Sequence, residues 1–246
     1  MCAHSQTRKR NFRQKEVGLF GGASYYLGDI NPRKHFIPSH PAIGVFFRYT
    51  TNYRYAFRIG FNYGTVSASD ATSKEPDQLE RNLNFRSEIY DGYAIAEFNF
   101  VDYRIGNDKH YFTMFIFGGV GGFYMDPQIN VNGNFVYLSG LKTEGQKKSY
   151  SKYQFSIPFG VGFKWNIGER CGLGIEWGPR KTFTDYLDDV SGSYANTSNA
   201  LGIGSGIPGT MRGNPRSKDW YFFYGVTFNF RLPSKETVCN MMSVGG

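Results

Sequence analysis

Alternation with a period of two runs through most of this chain, and it constrains the fold more than any other feature. Ile43, Val45, Phe47 and Tyr49 alternate with Ala42, Gly44, Phe46 and Arg48, and Tyr53, Tyr55, Phe57, Ile59, Phe61 and Tyr63 with Arg54, Ala56, Arg58, Gly60, Asn62 and Gly64. The same pattern recurs from Phe155 to Trp165, from Leu173 to Trp177 and from Trp220 to Phe230. Strict alternation marks strands with one apolar and one polar face. Residues 17–27 and 111–124 read as strands interrupted by Gly. Residues 86–99 are ambiguous in phase, and we place Asp91, Glu97 and Asn99 with the polar set. The chain thus predicts eight strands, 17–27, 42–50, 53–64, 86–99, 111–124, 153–166, 171–185 and 219–231. Their connections are alternately long and short. A soluble sandwich has no reason to keep that order. A transmembrane β-barrel does, with short turns at one end and longer loops at the other.

Composition supports this reading. Aromatic residues make up 18 % of the 246 residues, Gly numbers 31 and charged residues are only 20 %, which excludes a disordered chain. The longest weakly polar stretch, Thr113 to Met125, is too short for a spanning helix, which needs about 20 apolar residues. A barrel hides its lipid-facing half behind a polar alternate half, so a mean hydropathy of −0.43 is compatible with it. A lipocalin-like soluble barrel would turn the apolar set inward and need a charged outer face, for which these strands hold too few charges.

The predicted fold is therefore all-β, an eight-stranded antiparallel transmembrane outer-membrane barrel with a filled lumen. An eight-stranded interior is just wide enough for side chains. Inside it, Arg48, Arg54, Arg58, Lys164 and Arg180 should meet Asp91, Glu97 and Glu176, because buried charges are costly without partners. An even strand number puts both termini on one side, the periplasm. The expected organisation is a residual signal region and basic segment (1–16), the barrel (17–231) and a periplasmic tail (232–246).

Ala3-x-Ser5 has the small-x-small pattern of an export cleavage site, though no apolar run precedes it. Cys2 could also carry a lipid. The segment that follows holds Arg8, Lys9, Arg10, Arg13 and Lys15. It is short and lacks stacking aromatics apart from Phe12, so it points to a partner or a membrane face rather than to nucleic acid. Arg104 and Arg170, in the short connections 101–110 and 167–170, belong to the same expected partner face. Three cysteines, Cys2, Cys171 and Cys239, are too scattered for a zinc framework. Strands seven and eight are neighbours, so Cys171 and Cys239 share one membrane face and could form a disulfide there. Ser39-His40 lies on a Pro-rich loop, a poor setting for a nucleophile and base. Asp185, Asp188 and Asp189 are expected as a solvated acidic rim, without the Gly-framed spacing of a calcium loop. No phosphate-binding or metalloprotease motif occurs, and no cofactor, metal or catalytic residue is expected. The last strand closes on Phe230 after Val226 and Phe228, the alternating aromatic ending that barrel-assembly machinery reads, but residues 231–246 follow it.

Specific stretches resemble a known family. Val17-Gly-Leu-Phe-Gly-Gly-Ala-Ser-Tyr-Tyr-Leu-Gly-Asp-Ile30, Arg86-Ser-Glu-Ile-Tyr90, Glu97-Phe-Asn-Phe100 and above all Gly178-Pro-Arg-Lys-Thr-Phe-Thr-Asp-Tyr-Leu-Asp-Asp-Val-Ser-Gly192 are similar to the PorG-like outer-membrane barrels of Bacteroidetes. The resemblance covers residues 17–231. It implies a non-enzymatic component of the type IX secretion system that contacts the periplasmic ring of the lipoprotein PorK and of PorN. Outer-membrane lipid and lipopolysaccharide would surround it. The alternative is a stand-alone surface barrel, an adhesin or a small porin-like protein.

Overall fold

The computed structural model describes residues 13–131, 134–146, 148–195 and 207–233. Its strands are β1 (Gln14–Leu27), β2 (His40–Thr50), β3 (Tyr55–Ser69), β4 (Asn84–Asn99), β5 (Phe112–Val131), β6 (Asn134–Tyr137), β7 (Tyr153–Asn166), β8 (Cys171–Thr182) and β9 (Trp220–Arg231). Each of the eight long strands pairs antiparallel with its sequence neighbours, β1 pairs with β9, and β4–β5 completes the ring. The result is a closed eight-stranded antiparallel barrel. The short β6 folds back on the end of β5 as a hairpin above the ring. One short helix, α1 (Pro76–Arg81), lies between β3 and β4. Among the described residues no helix is long and apolar enough to cross a membrane.

We call the end that carries Gln14 and Arg231 the terminal end, and the other the loop end. Turns 51–54, 100–111 and 167–170 lie at the terminal end. Connections 28–39, 70–83, 132–152 and 183–219 lie at the loop end.

The outer wall is apolar and exposed, with Ile43 at 65 % and Phe155 at 79 %. Two rows of rings border it. Near the loop end, Tyr63, Tyr90, Tyr124 and Tyr153 are direct cross-strand partners on β3, β4, β5 and β7, with ring centroids 5.0, 6.0 and 5.2 Å apart. Near the terminal end, Tyr55 meets Phe98 at 5.3 Å and Phe112 meets Trp165 at 5.5 Å. Tyr55 and Tyr63 are eight residues apart on β3. At about 3.3 Å per residue and a tilt of about 40°, that is ~20 Å of height. With the ring widths added, this fits the ~25 Å apolar band between two aromatic girdles of a membrane barrel.

The phase of β4 and β5 is now fixed. Asp91, Glu97 and Asn99 point inward, and so do Tyr93 and Ile95. On β5 the inward set is Thr113, Phe115, Phe117, Phe123 and Met125, while Met114, Ile116 and Val120 face out. The lumen is therefore aromatic as well as polar.

Candidate functional site

The centre of the barrel is a network of eight charged side chains. Glu97 on β4 forms ion pairs with Arg48 Nε of β2 (2.9 Å), Arg58 Nε of β3 (2.8 Å) and Lys164 Nζ of β7. Arg48 Nη1 also donates to Glu16 Oε2 (2.9 Å) and Asn229 Oδ1 (3.1 Å). Arg58 Nη1 donates to Glu176 Oε2 of β8 (2.7 Å), and Lys164 Nζ to Asn99 Oδ1 (3.2 Å). One layer nearer the loop end, Arg180 Nε donates to Asp91 Oδ2 (3.3 Å), whose other oxygen accepts from Tyr221 Oη (2.9 Å). Four cations thus face four carboxylates, all of them buried.

Aromatic faces fill the remaining space. Arg48 and Arg58 each lie 5.0 Å from the centroid of Phe46, Arg58 also covers Phe117 (5.3 Å), and Lys164 sits 4.0 Å over Phe115. These contacts suit desolvated cations. Phe46 has room because residue 18 is Gly: a β-carbon there would lie 2.2 Å from the ring.

Two corrections follow. Arg54 does not enter the lumen. It sits in the turn after β2, half exposed, and its Nε donates to Asp102 Oδ1 (2.8 Å) of the neighbouring turn. The ladder between β2 and β3 begins at Thr50↔Ala56, so Arg54 is outside it. Conversely, Glu16 belongs to the network. Pairing of β1 with β2 starts at Gln14↔Thr50, which carries residues 14–16 into the barrel; Lys15 points outward between the buried Gln14 and Glu16.

Loop residues pack over both ends of the lumen. At the terminal end, turn 100–111 folds across the mouth and buries Tyr103 and Ile105 against Gly172. Asn166 Nδ2 donates to the carbonyls of Arg104 (2.6 Å) and Asn107 (3.1 Å), and Arg231 Nη1 to that of Ile105 (3.0 Å). Gly106, with φ +78°, passes so close to the Glu169 carbonyl that a β-carbon would lie 2.3 Å from it. At the loop end, Leu187 and Val190 dip into an apolar core with Phe20, Ile30, Val66, Ile89, Met125 and Phe223.

The acidic cluster of that cap is not the solvated rim expected from sequence. Asp185, Asp188 and Asp189 are buried, because partners from other loops and from β1 surround them. Tyr26 Oη lies in hydrogen-bond contact with both Asp188 Oδ2 and Asp219 Oδ1, the latter at 2.8 Å. Val190 N donates to Asp188 Oδ1 (2.9 Å) and Leu187 N to Asp219 Oδ2 (2.9 Å). A phenol has one proton, so the second carboxylate contact is satisfied when one carboxyl is protonated. Burial raises both carboxyls well above the ordinary carboxylate range. Asp189 accepts from Thr143 Oγ1 (2.5 Å) and Tyr150 Oη (2.9 Å) and pairs with Arg212 (3.5 Å). Burial pushes it up to about 6, against the opposing pull of Arg212. Asp185, bonded by Ser191 Oγ (2.9 Å), is also pushed up to about 6 by burial. Arg81 of α1 grips Asp70 with two parallel bonds (2.7 and 2.8 Å) and the carbonyls of Arg212 (2.6 Å) and Asp29 (3.0 Å).

The terminal end is basic. Arg13, Lys15, Arg54, Arg104, Lys109, Arg170 and Arg231 outnumber Asp102, Asp108 and Glu169 there among the described residues. Arg170 is exposed, and its carbonyl accepts from Arg231 N (2.7 Å). Arg8, Lys9 and Arg10 lie outside the described residues. Cys171 is half-buried at the start of β8, and Cys239 lies outside the described residues. His40 hydrogen-bonds Ser67 Oγ (2.7 Å), not Ser39, and among the described residues no carboxylate bonds to it. Among them no group of three or more acidic, His and Cys side chains is placed to hold a metal ion.

A closed eight-stranded barrel with an apolar wall, two aromatic girdles and a filled interior defines a small barrel of the outer-membrane type. The chain belongs to the family described as domain of unknown function (DUF6089), whose model matches residues 3–241. A search of curated proteins finds no match. Among solved structures, the chain is similar to Ail, the attachment invasion locus protein of Yersinia pestis, in complex with the heparin analogue sucrose octasulfate (9 % identity, TM-score 0.44, covering 89 % of this chain and 99 % of that one). It is also similar to the outer membrane protein OprG of Pseudomonas aeruginosa (9 %, 0.43, 89 % and 98 %) and to Neisserial surface protein A (7 %, 0.41, 89 % and 97 %).

Proposed function

We propose that this protein is a non-enzymatic anchor in the outer membrane of a Gram-negative bacterium, with its terminal end in the periplasm. There it would hold the periplasmic ring of the type IX secretion system, the lipoprotein PorK and PorN. The observation that carries an anchoring role is a filled barrel with a basic terminal face. Tyr103 and Ile105 are buried at the terminal end of the lumen and Leu187 and Val190 at the loop end, and this filled interior favours an anchor over a porin. What remains for the molecule to work with is its surfaces, and the cations at the terminal end suit an acidic partner. The names of the partners come from the resemblance of segments 17–30, 86–100 and 178–192 to PorG-like barrels.

The test is a mild-detergent pull-down of the tagged protein from its native outer membrane. Recovery of a periplasmic ring lipoprotein with its partner supports the proposal. Recovery of the barrel alone, where the ring is demonstrably intact, overturns it. Replacing Arg8, Lys9, Arg10 and Arg13 by Ser should weaken capture and reduce its salt dependence while leaving barrel folding intact.

A second reading is a stand-alone surface barrel acting through its loops, favoured by the ordered, densely bonded cap. Shaving the loops with protease on intact cells would then abolish function and leave secretion unchanged.

A further inference from the structure

A cleft of about 370 Å³ opens at the loop end between connections 28–39 and 70–83. It exists because β3 outruns its neighbour. The β2–β3 ladder ends at Ala42↔Gly64, while β3 continues to Ser69, so a space is left beside its last residues. The chain does not collapse into that space, because the first loop is held by its own bonds. Asn31 Nδ2 donates to the carbonyls of Tyr26 (2.8 Å), Lys34 (2.9 Å) and Ile37 (3.2 Å), and Asn31 Oδ1 accepts from Lys34 N (3.1 Å). Lys34 Nζ reaches across to the Thr72 carbonyl, and Gln78 Nε2 of α1 donates to the Asp29 carbonyl (3.2 Å), which ties the two loops together. The cleft is therefore largely preformed, as ligand sites usually are, and its volume falls within their range.

Its chemistry is two-sided. Ile30, Ile37 and Ala68 give it an apolar floor, and Arg33, Lys34 and Lys74 stand at its rim. The rim carboxylate, Glu75, meets Arg33 at 3.6 Å with both side chains exposed, a pairing too weak and too wet to occupy the guanidinium. The position matters as much as the lining. Ile37, 64 % exposed, follows Phe36, whose ring packs on Tyr25 (4.9 Å) and Tyr224 (5.0 Å) of the outer wall. The cleft thus opens where the aromatic wall gives way to the loops, the depth at which headgroups sit.

We propose that this cleft binds a small amphiphile carrying a phosphate or carboxylate, with its apolar body on Ile30, Ile37 and Ala68 and its anionic head between Arg33 and Lys74. A lipid headgroup entering sideways and a free amphiphile from solution share this chemistry.

The test uses the full chain in nanodiscs of neutral phosphatidylcholine, titrated with hexyl phosphate and followed by the amide signals of residues 31–38 and 69–75. Saturable binding is expected. Hexanol and inorganic phosphate should each bind at least tenfold more weakly, since each supplies half of the contact. The double variant Arg33→Gln, Lys74→Gln should weaken hexyl phosphate at least tenfold and leave hexanol unchanged. Should that variant misfold, Ile37→Ser, at an exposed position, serves in its place and should weaken hexyl phosphate about threefold. Repeating the titration in nanodiscs with phosphatidylglycerol separates the sources. If the same amides shift before any addition and hexyl phosphate competes poorly, the occupant is a headgroup; if nothing changes, it is a free amphiphile. The absence of saturable binding and of a lipid-induced shift overturns the proposal, as does wild-type affinity in the charge variant.

Discussion

Two buried polar networks lie one above the other in this barrel, and they solve the same problem differently. In the lumen, each of Glu16, Asp91, Glu97 and Glu176 meets a guanidinium or ammonium group. In the cap, Asp188 and Asp219 meet a phenol instead, and the available guanidiniums go to Asp70, Asp189 and Glu144. Burial penalises a carboxylate in both places. Below, opposite charge offsets that cost; above, a proton does.

The largest effect should come from breaking the lower network at its hub. Glu97→Gln leaves Arg48, Arg58 and Lys164 without their shared counter-charge. Removing one partner of a buried pair costs about 3–5 kcal/mol. A large drop in the urea midpoint of the barrel in detergent would bear this out, and an unchanged midpoint would show the hub to be dispensable. Next is Arg81→Gln in the cap, which strands the buried Asp70. A local cost of about 3 kcal/mol should appear as faster exchange of cap amides with little change in the barrel strands.

The pH comparison comes third. Asp185 and Asp189 hold their protons up to about 6 in the folded cap, and an opened cap releases them in the ordinary range near 4. The closed cap binds more protons between those values, so its stability is fullest below about 4 and is lost as pH rises through 6. Protection factors of the Leu187 and Val190 amides should fall by up to about a hundredfold for each of the two carboxyls over that rise. Smaller still is Asp188→Asn, which keeps the acceptor for Val190 N but removes one of two carboxyls on Tyr26. It should stabilise the cap by about 1 kcal/mol above neutral pH. The smallest change is Arg54→Gln. An exposed pair contributes at most ~1 kcal/mol, so its midpoint should barely move, whereas Arg58→Gln, four residues on, should behave like Glu97→Gln.

The contrast between Arg54 and Arg58 also marks how far the sequence can be read. Alternation located the strands and gave the inward phase of Arg48, Arg58, Lys164, Glu176 and Arg180, because on those strands polar and apolar residues segregate cleanly. It put Arg54 in the same inward set, wrongly, because the strand begins only at Tyr55 and a turn has no phase. Glu16 was hidden in a basic tract whose other members face away from the lumen or lie outside the described residues. On β4 and β5 aromatics occupy both faces, and an aromatic chosen for a guanidinium looks the same as one chosen for lipid until the partner is in place. The cap was the least legible part. The segment from Asp185 to Val190 looks like an open acidic loop until Tyr26, Thr143, Tyr150 and Arg212 are brought to it from four distant positions. Segment 178–192 stood out as a motif, but nothing local says that its acids are buried.

The lumen network carries one more consequence, which concerns how such a barrel comes to exist. Its members come from β1, β2, β3, β4, β7, β8 and β9, and the bonds between them span 118 positions from Arg58 to Glu176 and 181 from Arg48 to Asn229. The β1–β2 hairpin pairs Arg48 with Glu16 by itself, but Arg58 meets Glu176, Lys164 meets Glu97 and Arg180 meets Asp91 only across the lumen, so a partly inserted sheet would carry unpaired ions against hydrocarbon. Such long separations also make pairing slow to find. Closure of the barrel is then the step at which these cross-lumen pairs form together. Assembly in the membrane becomes a single commitment, and an unfinished barrel is the species that a cell's quality control can most readily distinguish from the finished one.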